Sequence, residues 1–155
     1  MRVLTKDESD ELARIIAEAA RLPLIDAAFA LWRQRYRLDV LLGRMPPTPE
    51  QVAANRAMTP EQQAAKYRYD REHAHEEGPM FELLQRAHPG LDDALVRRAI
   101  AEAVRFEDET FKHFSYDGDF WDSVVRAVAL AQRKHPHYLD TTYRDARNNL
   151  AYYYK

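Results

Sequence analysis

The stretch LDDALVRRAIAEAVRFEDETFKHF, residues 91–114, decides the fold class. Asp92 stands at an N-cap position, where its carboxylate can accept from the free N–H groups of a first helical turn. Leu91 and Val96 bracket that cap as a hydrophobic staple, and Ile100, Ala103, Val104, Phe111 and Phe114 continue one apolar stripe at helical spacing. The pattern predicts one long amphipathic helix reaching about Phe114. Glu107 breaks the stripe between Val104 and Phe111. A carboxylate facing the core must be paired or neutral once buried, so Glu107 is the buried polar candidate of the chain. Arg68, Arg71 and Arg105 are among its possible partners. A structural ion pair or a tyrosine hydrogen bond is the favoured reading, and a role as acid, base or ligand is the alternative.

Upstream, Thr5 and Glu8 form a capping box ahead of Leu12, Ile15, Ile16, Ala19 and Ala20 on one face. Pro23 suits the first turn of a second helix, predicted over Leu24 to Leu42 and apolar round most of its first half. Gly43 ends it, and Pro46, Pro47 and Pro49 make 43–49 a connector that cannot stay helical. Thr48-Pro49-Glu50-Gln51 then recurs as Thr59-Pro60-Glu61-Gln62. Each copy is a helix start, with Thr as N-cap, Pro at N1 and Gln closing the box. Two copies are too few for a solenoid. The second opens a polar helix predicted to about Glu77, and a short helix follows over Met80 to Ala87.

Downstream, Asp119 caps a helix whose stripe reads Trp121, Val124, Val125, Val128 and Ala131, stopped by His135-Pro136. A last helix follows Asp140, with Leu139, Tyr143, Ala146, Leu150 and Tyr153 spaced as a narrow seam. Composition agrees: 23 Ala and 15 Leu outnumber 8 Val, 4 Ile and 6 Thr, and only four Gly occur. The expectation is an all-α single domain over 1–155, a compact array or bundle of about seven helices with no sheet.

A formal charge of −2 gives no general affinity for polyanions. Trp32-Arg33-Gln34-Arg35-Tyr36-Arg37 interleaves rings with cations as single-strand nucleic-acid surfaces do. No recognition motif accompanies it, so nucleic acid is an unlikely partner, and Arg33 and Arg37 are read as pairing with acidic neighbours. The absence of Cys excludes disulfides and thiolate metal sites and suits a cytoplasmic setting. The first residues turn acidic before any apolar run, which argues against a secretory leader. The longest apolar run, Ala27 to Trp32, falls far short of the ~20 residues of a membrane span.

Two features carry functional expectations. On the polar helix, Glu72 and His75 stand at i, i+3 and His73 and Glu77 at i, i+4, so each pair could clamp a divalent metal. The first resembles the Glu-x-x-His element of carboxylate-bridged bundles, which needs a second copy this chain lacks; a solvated face is the simpler reading. Glu109 and His113 are read as a solvent-facing pair. At the carboxyl end, Tyr152, Tyr153 and Tyr154 surround one helical turn, of which only one side can face the core. Tyr152 and Tyr154 are therefore the partner-binding candidates. With no nucleophile elbow or phosphate loop in view, the expectation is a non-catalytic helical protein. It would act through protein–protein interaction, as an accessory or neutralising subunit bound to another protein or to itself, with no cofactor. The alternative is a metal- or small-molecule-binding helical enzyme or sensor built on His73/His75 or on Glu107.

Overall fold

The computed structural model describes residues 3–43, 47–74 and 79–155. The elements are α1 (Lys6–Ala20), α2 (Leu24–Trp32), α3 (Arg35–Leu41), α4 (Pro49–Ala57), α5 (Pro60–Glu72), α6 (Pro79–Ala87), α7 (Asp93–His113), α8 (Phe120–Lys134) and α9 (Asp140–Tyr154). Among the described residues the chain is all-α, with nine helices rather than about seven. The capping boxes at Thr5, Thr48 and Thr59 and the Asp92 and Asp119 caps all form.

The helix predicted over Leu24 to Leu42 is two helices. Gln34 leaves helical geometry, its side chain donates to the Ala30 carbonyl (2.8 Å), and Arg35 Nη1 donates to the Trp32 carbonyl (3.1 Å). Side chains thus take carbonyls that an unbroken helix would use, which ends α2 at Trp32. Pro23 sits one position before the first turn, as the N-cap of α2. The first Thr-Pro repeat closes a helix of its own, α4, which buries no residue. The polar helix stops at Glu72 with His73 as C-cap, short of Glu77. His75 and Glu77 lie outside the described residues, as do residues 44–46 of the connector.

The long helix α7 packs most heavily on α8 and α2 and also meets α5, α6 and α9. Val96, Ala99, Ile100, Ala103, Val104 and Phe106 are buried along it. One aromatic cluster locks the α8–α9 turn onto α7: the Phe106 ring lies 4.6 Å from Tyr138, 5.2 Å from Phe29 and 5.7 Å from Tyr143. The Tyr138 hydroxyl donates to Glu102, which also pairs with His135 Nδ1 (2.5 Å), and the Tyr143 hydroxyl donates to the His135 carbonyl. Leu139, the N-cap of α9, has no capping side chain. Asp26 of α2 supplies the cap from 113 residues away, accepting from the Leu139 N–H (2.8 Å) and the Thr142 hydroxyl (2.5 Å).

Two predicted stripes are narrower than expected. The buried residues of α8 are Ser123, Val124, Ala127, Val128 and Ala131, which leaves Trp121 and Val125 on its outer edge. On α9 the buried set runs from Thr142 to Leu150, so Leu139 and Tyr153 fall beyond the seam and are partly exposed. No helix among the described residues is long and apolar enough to cross a membrane.

Candidate functional site

Glu107 is 0% exposed and accepts four hydrogen bonds from four other helices. Oε1 takes Trp32 Nε1 of α2 (3.2 Å) and Arg71 Nη2 of α5 (2.8 Å). Oε2 takes Arg35 Nη1 of α3 (3.2 Å) and Asn149 Nδ2 of α9 (3.0 Å). A carboxylate offers about four lone-pair directions, so its acceptor capacity is filled. Arg71, itself buried, also donates through Nε to Asp108 Oδ1 (2.8 Å) and through Nη1 to the Tyr67 hydroxyl (2.8 Å). It is the only buried side chain of α5. The docking of that polar helix therefore rests on a charge network rather than on an apolar face.

Burial is the largest single influence and pulls both guanidinium groups toward neutrality, but the charge and hydrogen bonds of Glu107, joined by Asp108 at Arg71, together outweigh it and hold Arg35 and Arg71 above their ordinary values. Asp108 is raised, because its partial burial outweighs the opposing charge of Arg71. Above the network lies a cleft of about 450 Å³ whose walls include Trp32, Arg35, Tyr36, Tyr67, Arg71 and Met80. The Arg35 guanidinium sits over the Trp32 ring at 4.3 Å and over Tyr36 at 5.0 Å.

Tyr153 borders the same network. Burial pushes its phenol up from 10.0 to about 12, against the Arg35 charge and with help from Glu107. Burial, then the bond to Glu102, pushes Tyr138 higher still. A folded-state pKa above the unfolded one contributes stability that is intact below about pH 10 and is lost as pH rises through the raised value. Unfolding free energy is thus expected to fall from about pH 10 to 12. A tyrosinate absorbance titration checks this: at about pH 11 the native protein should keep at least Tyr138 and Tyr153 of its nine tyrosines protonated, while the urea-unfolded chain has largely titrated. Superposable native and unfolded titrations would contradict the packing.

Of the suggested partners of Glu107, Arg71 is one, whereas Arg68 and Arg105 are exposed and make no bond to it. Trp32, Arg35 and Asn149 complete its shell, and sequence reasoning missed all three. A signal for Asn149 existed: a poor helix former standing on the buried stripe between Ala146 and Leu150. Arg33 and Arg37 pair with Asp145 (3.9 Å) and Glu11 (3.0 Å).

The metal candidates are not brought together by the described residues. Glu72 is exposed, and His73 is held through Nδ1 against the Tyr69 carbonyl (2.8 Å), its ring stacked on Tyr69 at 3.8 Å. Their proposed partners, His75 and Glu77, lie outside the described residues. No group of three or more metal-ligating side chains occurs among the residues described. Glu109 and His113 do pair (3.0 Å), but half-buried against α8 rather than in solvent, because Lys134 also reaches Glu109 (3.4 Å).

At the carboxyl end the three tyrosines separate. Tyr154 is no free anchor: its ring stacks on Phe114 at 4.2 Å and its carbonyl accepts from the Tyr116 hydroxyl (2.6 Å). Tyr152, 79% exposed, and Trp121, 46% exposed, line one groove of about 400 Å³ together with Phe120, Asn148, Ala151 and Lys155. No protein-family model matches the chain, and no significant match appears among curated proteins or solved structures.

Proposed function

We propose that the protein is a non-catalytic binding subunit that engages a partner protein, or a second copy of itself, through the groove between α8 and α9. The observation that supports this is that the exposed Trp121 and Tyr152, from different helices, line one groove. Both rings expose large apolar area while the core nearby is full of other aromatics, and exposed Trp and Tyr are the residue types that most often anchor interfaces. Lys155 and Asn148 at the rim suit a partner that presents an apolar side chain beside a carboxylate. The cysteine-free chain suits a reducing, cytoplasmic setting.

The test is a Trp121→Ala, Tyr152→Ala double variant. Each anchor is worth about 2 kcal/mol at an interface, so assembly or partner affinity should fall by about 30-fold for each ring removed and by roughly 1,000-fold in the double variant. Surface truncations of this kind change stability by about 0.5 kcal/mol at most, so the unfolding midpoint should barely move. Trp32 is buried, so fluorescence of the native protein also reports on Trp121, whose emission should shift to the blue when a partner covers it. A double variant that assembles and captures purified partner as the native chain does would refute the proposal.

A further inference from the structure

We propose that a groove formed by α5, α7 and α9 is a docking site for a proline-rich peptide segment that carries a basic residue and binds as a polyproline II helix. The groove holds about 430 Å³ and is lined by Tyr67, Asp108, Phe111, Tyr153 and Tyr154. It shares no residue with the α8–α9 groove and does not depend on it. Four of its five lining residues are aromatic, and their rings meet at steep angles: Tyr153 lies 5.3 Å from Phe111 at 85°, and Tyr154 lies 6.0 Å from Phe111 at 63°. Rings set edge to face make a stepped apolar surface rather than a flat one, against which pyrrolidine rings pack as they do in other aromatic-lined grooves. Tyr67 also lines the neighbouring cleft together with Tyr36, so the aromatic lining continues onto α3. These rings can be reached from solvent, since Tyr36, Tyr67 and Tyr153 are 59%, 49% and 37% exposed.

Hydroxyl groups and charge select the occupant. A polyproline II helix makes no internal hydrogen bonds, so its carbonyls need outside donors, whereas an α-helix laid in a groove has already used its own. The Tyr67 hydroxyl accepts from Arg71 Nη1 (2.8 Å), which leaves its proton to donate, and the Tyr36 and Tyr153 hydroxyls bond to nothing among the described residues. The rings are also held before any peptide arrives. The Arg71 guanidinium lies 5.0 Å from the Tyr67 ring and 5.9 Å from Phe111, the Arg35 guanidinium lies 5.0 Å from Tyr36 and 6.0 Å from Tyr153, and Glu107 pairs with both arginines. Little freedom remains to be lost on binding. The charge open to solvent is acidic: Arg35 and Arg71 are nearly buried on Glu107, while Asp70 and Asp108 are exposed. Lys66 pairs with Asp70 (2.9 Å), but Asp108 takes Arg71 through Oδ1 alone, and its Oδ2 receives no donor among the described residues. A basic residue beside the prolines therefore meets a carboxylate at the groove, and an acidic one meets repulsion.

The experiment is calorimetric titration of the full chain with octaproline bearing one arginine, placed at either end. The controls are octaproline bearing a glutamate instead, a glycine–serine peptide of equal length and charge to the arginine form, and an amphipathic leucine–lysine helical peptide. At least one arginine-bearing octaproline should bind one-to-one, the glutamate form about tenfold or more weaker, and the glycine–serine peptide not at all. Tyr153→Ala should weaken binding about tenfold or more, with circular dichroism showing the fold retained. Asp108→Asn should bring the arginine and glutamate forms to equal affinity, a change that loss of folding cannot imitate. The Trp121→Ala, Tyr152→Ala double variant should bind octaproline as the native chain does, which separates this site from the α8–α9 groove. No binding of either arginine-bearing octaproline, equal binding of the glycine–serine peptide, tighter binding of the helical peptide, undiminished binding in Tyr153→Ala, a charge preference that survives Asp108→Asn, or binding lost in the double variant would each overturn the proposal.

Discussion

Glu107→Gln lowers the unfolding free energy by about 3–5 kcal/mol. The substitution keeps the side-chain shape and one acceptor oxygen but removes the only fully buried negative charge facing two guanidinium groups. Arg71 and Arg35 are then left as cations at 5% and 11% side-chain exposure, beside an amide whose N–H₂ group points donors at donors. Breaking a buried pair from one side costs far more than the pair itself contributes, because the remaining charge stays desolvated. A loss of this size is a large share of the stability of an ordinary domain, and the urea midpoint should fall with the slope unchanged. The contrast that identifies the mechanism is a triple variant, Glu107→Met with Arg35→Met and Arg71→Met, which replaces all three charges by apolar groups of similar length. It should recover part of the lost stability, because the buried charges are gone while the Trp32 and Asn149 donors still lack an acceptor. A triple variant less stable than Glu107→Gln, or a single variant within about 1 kcal/mol of the native chain, would show that the network does not join these helices.

That joint shows where sequence reading stops. Helix starts were legible because caps are local: Thr5 with Glu8, Thr48 with Gln51, Thr59 with Gln62 and Asp119 with Asp122 each close within three residues. The misplacement of Glu107 on an apolar stripe was legible for the same reason, since the stripe belongs to one helix. Its shell was not, because Trp32, Arg35, Arg71 and Asn149 lie 36 to 75 residues away on four other helices. Periodicity ranks faces of a helix and carries no information about which faces meet. The split of α2 from α3 escaped for a related reason. Nothing between Leu24 and Leu42 breaks a helix locally, and the chain turns where the Gln34 and Arg35 side chains take the Ala30 and Trp32 carbonyls. The exposed Trp121 falls on the predicted stripe of α8 because a helical stripe has no sharp edge in sequence. Neighbours decide how wide a stripe is buried, and α8 buries only the narrow set from Ser123 to Ala131.

Phe106→Ala is the second large effect, expected at about 3–5 kcal/mol. The fully buried ring stacks on Tyr138 and meets Tyr143 edge-on, and both neighbours are tied by their hydroxyls to Glu102 and to the His135 carbonyl. Collapsing into the space left by Phe106 would break those bonds, so the cavity stays open and the loss belongs in the upper part of the range. Denaturant unfolding measures it; a loss under about 1.5 kcal/mol would mean that the tyrosine rings move in. Phe106 and Glu107 are consecutive on α7, yet about 100° of helical rotation separates them and their partners do not overlap: Phe29, Tyr138 and Tyr143 for one, Trp32, Arg35, Arg71 and Asn149 for the other. A double-mutant cycle of the milder Phe106→Leu with Glu107→Gln should therefore be additive within about 0.5 kcal/mol. Additivity means that α7 presents two independent joints, one holding the α8–α9 turn, at the other end of those helices from Trp121 and Tyr152, and one holding the Glu107 charge network. A coupling energy above about 1 kcal/mol would instead make Phe106 and Glu107 parts of one shared joint on α7.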